Sequence, residues 1–201
     1  MPKRYHLVLL AATLGAAGGL GAALLRGSHT PPAQSEVEPL SAQATWKADT
    51  KRAPNFVLRD QNGSRISLAT LRGRPVLVTF LDSVCKQECP IEGRVLASVQ
   101  RKLNVSASTV VVSVDPWSDT ARTAKTFARK SHWRGDWHWL LGSRARLAPV
   151  WRAYTIGVRR TRGDIMHNVA LYLIDGHGYL RAAYLFPFSP QTVVHDVRAV
   201  S

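Results

Sequence analysis

VLVTFLDSVCKQECP, running from Val76 to Pro90, is an apolar run that stops abruptly and delivers two cysteines, the only two in the 201-residue chain. Six consecutive apolar or β-branched residues, Val76 to Leu81, predict a central strand covered on both faces. Pro90 suits a first helical position, and Val95, Leu96, Val99 and Leu103 recur at helical spacing behind it. Cys85 and Cys89 therefore fall between the end of a strand and the start of a helix. Core cysteines kept only for packing would be scattered along the chain, so their confinement to one junction points to chemistry.

Upstream, the domain opens at Ala53-Pro54, and Phe56, Leu58, Ile66 and Leu68 alternate on either side of Asp60-Gln61-Asn62-Gly63. Asn-Gly between alternating apolar runs predicts a hairpin. Downstream, TVVVSV from Thr109 to Val114 reads as a second buried strand ended by Asp115-Pro116. Ser118 or Asp119 is expected to cap a helix carrying Ala121, Ala124, Phe127 and Ala128. A short strand over Trp137 to Leu141 and a helix over Ser143 to Tyr154, interrupted or begun at Pro149, follow. Thr155 to Met166 reads as a loop containing Arg159, Arg160, Arg162 and Gly163. His167 then leads into NVALYLID, the turn Gly176-His177-Gly178 and YLRAAYL, an antiparallel hairpin, and Ser189-Pro190 starts a last helix with Val193, Val194 and Val197 on one face.

This β-α-β-α order, closed by a hairpin and a helix, is α/β and resembles the thioredoxin-like fold with an extra N-terminal hairpin. In that fold the loop after the first core strand is the reactive one. The first strand of the closing hairpin runs antiparallel beside it, so the residue just ahead of that strand, His167, is expected near the cysteines.

Lys3, Arg4 and His6 precede an apolar run from Leu7 to Leu25 that Arg26 closes. About 20 apolar residues span a bilayer and a cleaved signal core needs roughly 7 to 15, so a single transmembrane signal anchor over residues 1–26 is expected, glycines at 15, 18, 19 and 21 notwithstanding. Positive residues ahead of the run place the remainder outside the cytoplasm, on the cell membrane's outer or periplasmic side. No cysteine follows the run, which excludes a lipoprotein anchor. Residues 27–51, rich in Ser, Thr, Pro, Ala and Glu, read as a flexible linker, leaving a domain over 52–201. The chain carries a formal +14, and 24 cations against 13 anions remain once residues 1–26 are set aside. Such a balance suits nucleic acid, anionic lipid or an acidic protein. The export signal argues against nucleic acid.

Cysteines four apart on a helical turn lie on the same side. Cα atoms about 6 Å apart would suit a disulfide, and the same pair could present two thiolates to one ion. A helix N-terminus lowers thiol pKa values, as both roles require. A thioredoxin-type redox pair has two intervening residues where this chain has three, and peroxiredoxin chemistry wants a Thr where Asp82 stands. With His167 the two sulfurs make a soft three-ligand set that suits Cu(I), and Cu(II) with a further oxygen; zinc would also accept Cys2His. A merely structural disulfide is the bland alternative, although so short a loop stabilises little. His177 lies a strand's length from the reactive loop and reads as a turn residue. His132 and His138 sit among Trp133, Trp137 and Trp139 as packing or surface residues, His6 and His29 lie outside the domain, and His195 is on the last helix.

The Cys-x-x-x-Cys-Pro after VTFL, the VSVDPxxD from Val112 to Asp119, the His before a YLID strand and the leading PNFxLxDQxG resemble the SCO/SenC family, thioredoxin-like copper proteins that assist assembly of cytochrome c oxidase. The resemblance covers about residues 50–200. It implies Cys85, Cys89 and His167 as copper ligands, Asp115 as part of a DP motif near the site, and the binuclear copper centre of oxidase subunit II, or another copper-accepting protein, as recipient. Asp115 itself reads either as a strand-end carboxylate capping the next turn or as a group orienting a ligand or metal-bound water. It leaves room for a thiol-disulfide oxidoreductase using the Cys85–Cys89 pair. The family often has an aromatic and a Thr before its first Cys and a Pro after it; here Asp82-Ser83-Val84 and Lys86 occupy those places. The Arg159, Arg160, Arg162 cluster, just upstream of His167, is expected to steer an acidic partner.

Overall fold

A computed structural model describes residues 39–201. The expected anchor over Leu7 to Leu25 and the first part of the expected linker lie outside the described residues. Among those described, no helix is long and apolar enough to cross a membrane.

In chain order the strands are β1 (Ala44–Thr45), β2 (Val57–Arg59), β3 (Arg65–Ser67), β4 (Val76–Leu81), β5 (Ser108–Ser113), β6 (Trp137–Leu140), β7 (Val158–Arg160), β8 (Ile165–His167), β9 (Ala170–Ile174) and β10 (Leu180–Leu185). The helices are α1 (Cys89–Lys102), α2 (Ala121–Lys130), α3 (Arg144–Ala153) and α4 (Pro190–Ala199). Six strands form the main sheet in the order β1-β10-β9-β4-β5-β6. β4, β5 and β6 run parallel, and β9 and β10 run antiparallel beside β4. This is the thioredoxin-like arrangement, with the β2–β3 hairpin added ahead of it.

β4 alternates between two cores. Val76, Val78 and Phe80 point to one face, where the β2–β3 hairpin and α3 supply Phe56, Leu58, Ile66, Leu147 and Trp151. Leu77 and Leu81 point to the other, against Leu96 and Val99 of α1, Phe127 of α2 and Val193 and Val197 of α4. All six β4 residues are buried, as a strand between two helical layers requires. At the hairpin tip Gly63 has φ +82, and the Asp60 carboxylate accepts from Asn62 N and Ser64 N, both at 2.9 Å.

Four expectations need correction. The linker does not extend to Lys51: β1 pairs with β10, Ser41 N donates to the buried Asp196 carboxylate at 2.8 Å, and Leu40 and Ala42 pack on the α1–α4 face. The α2 cap is neither Ser118 nor Asp119 but Thr120, in a reciprocal capping box with Thr123. α3 runs unbroken through Pro149. Residues 155–166 are not a loop throughout, because β7 and β8 pair antiparallel around a turn closed by Thr161 N donating to Asp164 O at 2.9 Å.

One buried carboxyl stands out. Glu92, in the first turn of α1, is fully buried beneath β4, where Thr79 Oγ1 donates to its Oε1 at 2.5 Å and Oε2 has no partner among the described residues. Burial drives its pKa from 4.5 up to about 8, against the lowering effect of the Thr79 bond. A carboxyl protonated in the fold but ionised when unfolded stabilises fully below pH 4.5, and that contribution disappears as pH rises through about 8. Unfolding free energies measured from pH 4.5 to 8 should therefore fall by on the order of a few kcal/mol for the native chain relative to Glu92→Gln. A difference between the two that is independent of pH would mean that Glu92 is ionised in the fold.

Candidate functional site

β4 ends at Leu81, and the chain turns out of the sheet through Asp82, Ser83 and Val84 before α1 begins at Cys89. The turn is held rigidly. Asp119, half-buried, accepts from Ser83 N at 2.8 Å and from the Ser83 hydroxyl through Oδ1, and from Ser113 Oγ at 2.5 Å and Trp139 Nε1 at 3.4 Å through Oδ2. This clamp ties the residue two before Cys85 to the ends of β5 and β6. Burial raises the Asp119 pKa to about 6 in spite of the three hydroxyl and amide donors. Asp82 is buried, its Oδ1 accepting from Val84 N at 2.7 Å; burial raises its pKa, and the nearby Asp115 carboxylate adds to the effect.

Both cysteines are free thiols, and they occupy different environments. Cys89 is the first residue of α1 and is buried at 2 % exposure; Cys85 lies in the preceding turn rather than on the helix, and is half-buried. The Cys89 S–H donates to the Cys85 sulfur, which lowers the Cys85 pKa from 9 to about 6 against the opposing effect of burial. Gln87 N adds a second donor to Cys85 Sγ at 3.4 Å. The same bond, with burial, pushes Cys89 the other way and keeps it protonated. At neutral pH the site therefore holds one outward thiolate and one inward thiol.

His167 ends β8, three residues ahead of β9 rather than immediately before it. Its ring lies within electrostatic reach of Glu88, the last of the three residues between the cysteines and the N-cap position of α1, so it is on the thiol side of the sheet. Nδ1 lies 3.1 Å from Asn168 O. A carbonyl can only accept, so Nδ1 carries the proton and the Nε2 lone pair is left for a ligand. Burial lowers the His167 pKa, which keeps the ring neutral. Among the described residues no three His, Cys, Asp or Glu side chains are gathered into a preformed metal cluster. The donors share one side of the molecule without yet converging.

Asp115 is buried, and its Oδ1 caps its own turn by accepting from Trp117 N at 3.0 Å and Ser118 N at 3.2 Å. It also lines a cavity of about 350 Å3 together with Cys85, Asp82, Asp164 and Arg160. Arg160 stacks over Trp117 at 4.6 Å, and Arg159 donates to Met166 Sδ at 3.2 Å, so two of the three clustered arginines are engaged locally. His138 bridges Asp60 at 3.0 Å and Asp136 at 3.3 Å, and His177 lies in the turn after β9, where its backbone carbonyl accepts from Arg52 and Arg72.

Asp119 is the residue of the site whose role the sequence does not announce. The signal available is its spacing, four residues after Asp115 in DPWSD, which reads equally well as a helix cap. Glu92, three residues past Cys89, carries no signal beyond its place in a helix otherwise apolar on that side.

The SCO1/SenC family model matches residues 44–201. Protein SCO2 homolog, mitochondrial, of Bos taurus is 28% identical over 205 aligned residues, covering 95% of this chain and 73% of that protein. The structure of Bradyrhizobium japonicum ScoI with copper bound superposes with a TM-score of 0.65 at 26% identity, covering 75% of this chain and 99% of that one. BsSco, described as a member of the Sco family of cytochrome c oxidase assembly proteins with a disulfide switch, superposes with a TM-score of 0.65 at 23% identity, covering 75% and 93%. With the family's match spanning the whole described domain from β1 onward, this chain belongs to the SCO1/SenC family.

Proposed function

We propose that the chain is a copper carrier that binds one copper ion through Cys85, Cys89 and His167 and passes it to a recipient protein. The recipient we assign is the binuclear copper centre of cytochrome c oxidase subunit II during assembly. The observation that carries this reading is the donor set: a thiolate of pKa about 6 and, on the same side of the sheet, a neutral imidazole with its Nε2 lone pair uncommitted. Two sulfurs and a ring nitrogen suit soft Cu(I). Copper would take the place of the proton on Cys89, removing the hydrogen bond that now joins the thiols, and His167 would move in with the β7–β8 hairpin. The copper-bound relative supports the choice of metal. Asp115, in the shared cavity, would orient a ligand through its second oxygen. The anchor over residues 1–26 would hold the domain at the outer face of the cell membrane.

A second reading is favoured by one observation. A thiolate exposed to solvent and hydrogen-bonded by a buried partner thiol is equipped for thiol-disulfide exchange, with Cys85 attacking and Cys89 resolving. The chain would then reduce the cysteines of the recipient rather than fill them.

Anaerobic Cu(I) titration separates the two. His167→Ala should weaken copper binding by at least about 100-fold, more than loss of an outer-shell partner costs, while disulfide exchange with a small aromatic disulfide stays within about twofold. Unchanged copper affinity in His167→Ala would leave the oxidoreductase reading standing. Alkylation of the metal-free chain by iodoacetamide should label Cys85 first, with a rate that rises through a midpoint near pH 6. Cys89→Ala, which removes the S–H donor, should move that midpoint up toward the ordinary thiol value. A midpoint near 9 in the native chain would contradict the hydrogen-bonded pair.

A further inference from the structure

Cys85 stands on a ridge between two hollows, one that contains carboxyl groups and one lined by cations and no carboxylate. Residues Val84, Cys85 and Lys86 line both. On one side is the cavity of about 350 Å3 that gathers the carboxyl groups of Asp82, Asp115 and Asp164, with Arg160 also on its wall and stacked on Trp117. On the other is a groove of about 620 Å3 between the ridge, the first turns of α1 and the outward side of α2. Lys86, Arg94, Arg122 and Lys130 line this groove, and no acidic side chain does. All four are exposed, and none forms an ion pair or side-chain hydrogen bond among the described residues. Four like charges around one concavity repel one another, so the fold gains nothing from gathering them there. Arg159 and Arg160, by contrast, are already engaged with Met166 and Trp117. The groove also has an apolar floor in Pro90 and Phe127, and Val84, 42 % exposed, stands at its lip beside Cys85. Its volume lies within the range of ligand-sized sites, about 300–1,000 Å3.

We propose that this groove docks an acidic, extended segment of the protein partner, with an apolar side chain of that segment over Phe127 and Pro90 and a cysteine of the segment brought to Cys85. The proposal rests on the reading that Cys85 exchanges with a protein partner, by copper transfer or by disulfide exchange. Charge segregation divides the approach to the sulfur: a cation is drawn to the acidic cavity, and an acidic polypeptide to the opposite, basic side. Lys86 stands on the ridge between them.

The test uses the full chain, reduced and metal-free. The probes are two peptides of equal length, each with one cysteine activated as a mixed disulfide with thionitrobenzoate and one leucine, flanked in one by Glu and Asp and in the other by Lys. The Cys85 thiolate attacks the peptide sulfur, a Cys85–peptide disulfide forms, the activating disulfide breaks, and the coloured thionitrobenzoate anion leaves with the electron pair. Cys85 is thereby oxidised and the leaving thiol reduced, one anion per event. At low ionic strength the acidic peptide should react about 10-fold faster or more than the basic one, within the range that electrostatic steering supplies. The triple variant Arg94→Glu, Arg122→Glu, Lys130→Glu should lose that preference. The triple variant Lys47→Glu, Arg65→Glu, Arg152→Glu, at exposed positions outside the groove, changes net charge equally and should keep it. Arg122→Ala alone, an exposed truncation that breaks no hydrogen bond or ion pair among the described residues, should reduce the preference about threefold. A small neutral aromatic disulfide should react equally with all variants, reporting an intact Cys85. Equal rates for the two peptides in the native chain, a preference that survives in the groove variant, or equal losses in both triple variants would overturn the proposal. Copper titration of the same proteins is a separate readout: failure of the native chain to bind Cu(I) would sink copper carriage and leave the peptide result standing.

Discussion

Everything at this site depends on one strand being buried on both sides. Val76–Leu81 is clamped between the α3 and hairpin layer and the α1, α2 and α4 layer, so the point where the chain leaves the sheet is fixed to within the play of a close-packed core. Asp119 then fixes the next residues by accepting from Ser83 N and Oγ, while its other oxygen is held by Ser113 and Trp139. The reactive turn is thus tied to β5 and β6 before it reaches Cys85. Its sulfur is placed by the sheet rather than by the loop.

From that placement the chemistry divides. Cys89 enters the core with α1 and keeps its proton; Cys85 stays half-exposed and gives its proton up near pH 6 because Cys89 donates to it. The asymmetry fits the proposed carrier role, in which the buried thiol would protect one donor from solvent and the outward thiolate would be the one a partner reaches. Around it, the carboxyl groups Asp82, Asp115 and Asp164 are confined to one side and the other side is lined by cations and no carboxylate, on a chain of net charge +14.

Much of this is legible in the residues. The VLVTFL run, the alternation of Phe56, Leu58, Ile66 and Leu68 about Asn62-Gly63, and the valines of β5 and α4 state their burial directly, because periodicity records which side faces a core. The cysteine pair states its chemistry by being alone. Other parts are written in partners distant in sequence. Leu40 to Trp46 looks like linker because its small and polar residues show no period; what orders it is pairing with Ala182 and Ala183 of β10 and a bond to Asp196, some 140 to 155 residues away. β7 and β8 escape notice because both strands are largely exposed and carry no apolar alternation. Asp119 competes with Thr120 for the same capping signal, and only the position of Ser83 shows which residue does what. His167 is anticipated immediately ahead of the hairpin strand, whereas it ends β8 and Asn168 and Val169 intervene before β9.

The central claim is that two sulfurs and one ring nitrogen, far apart in sequence, close on a single soft ion. Copper K-edge X-ray absorption on the full chain loaded anaerobically with one equivalent of Cu(I) tests this most directly. The account predicts a three-coordinate site with two sulfur scatterers and one nitrogen, whose imidazole outer-shell pattern vanishes in His167→Ala. A spectrum of two sulfurs alone, identical in the native chain and in His167→Ala, would contradict it.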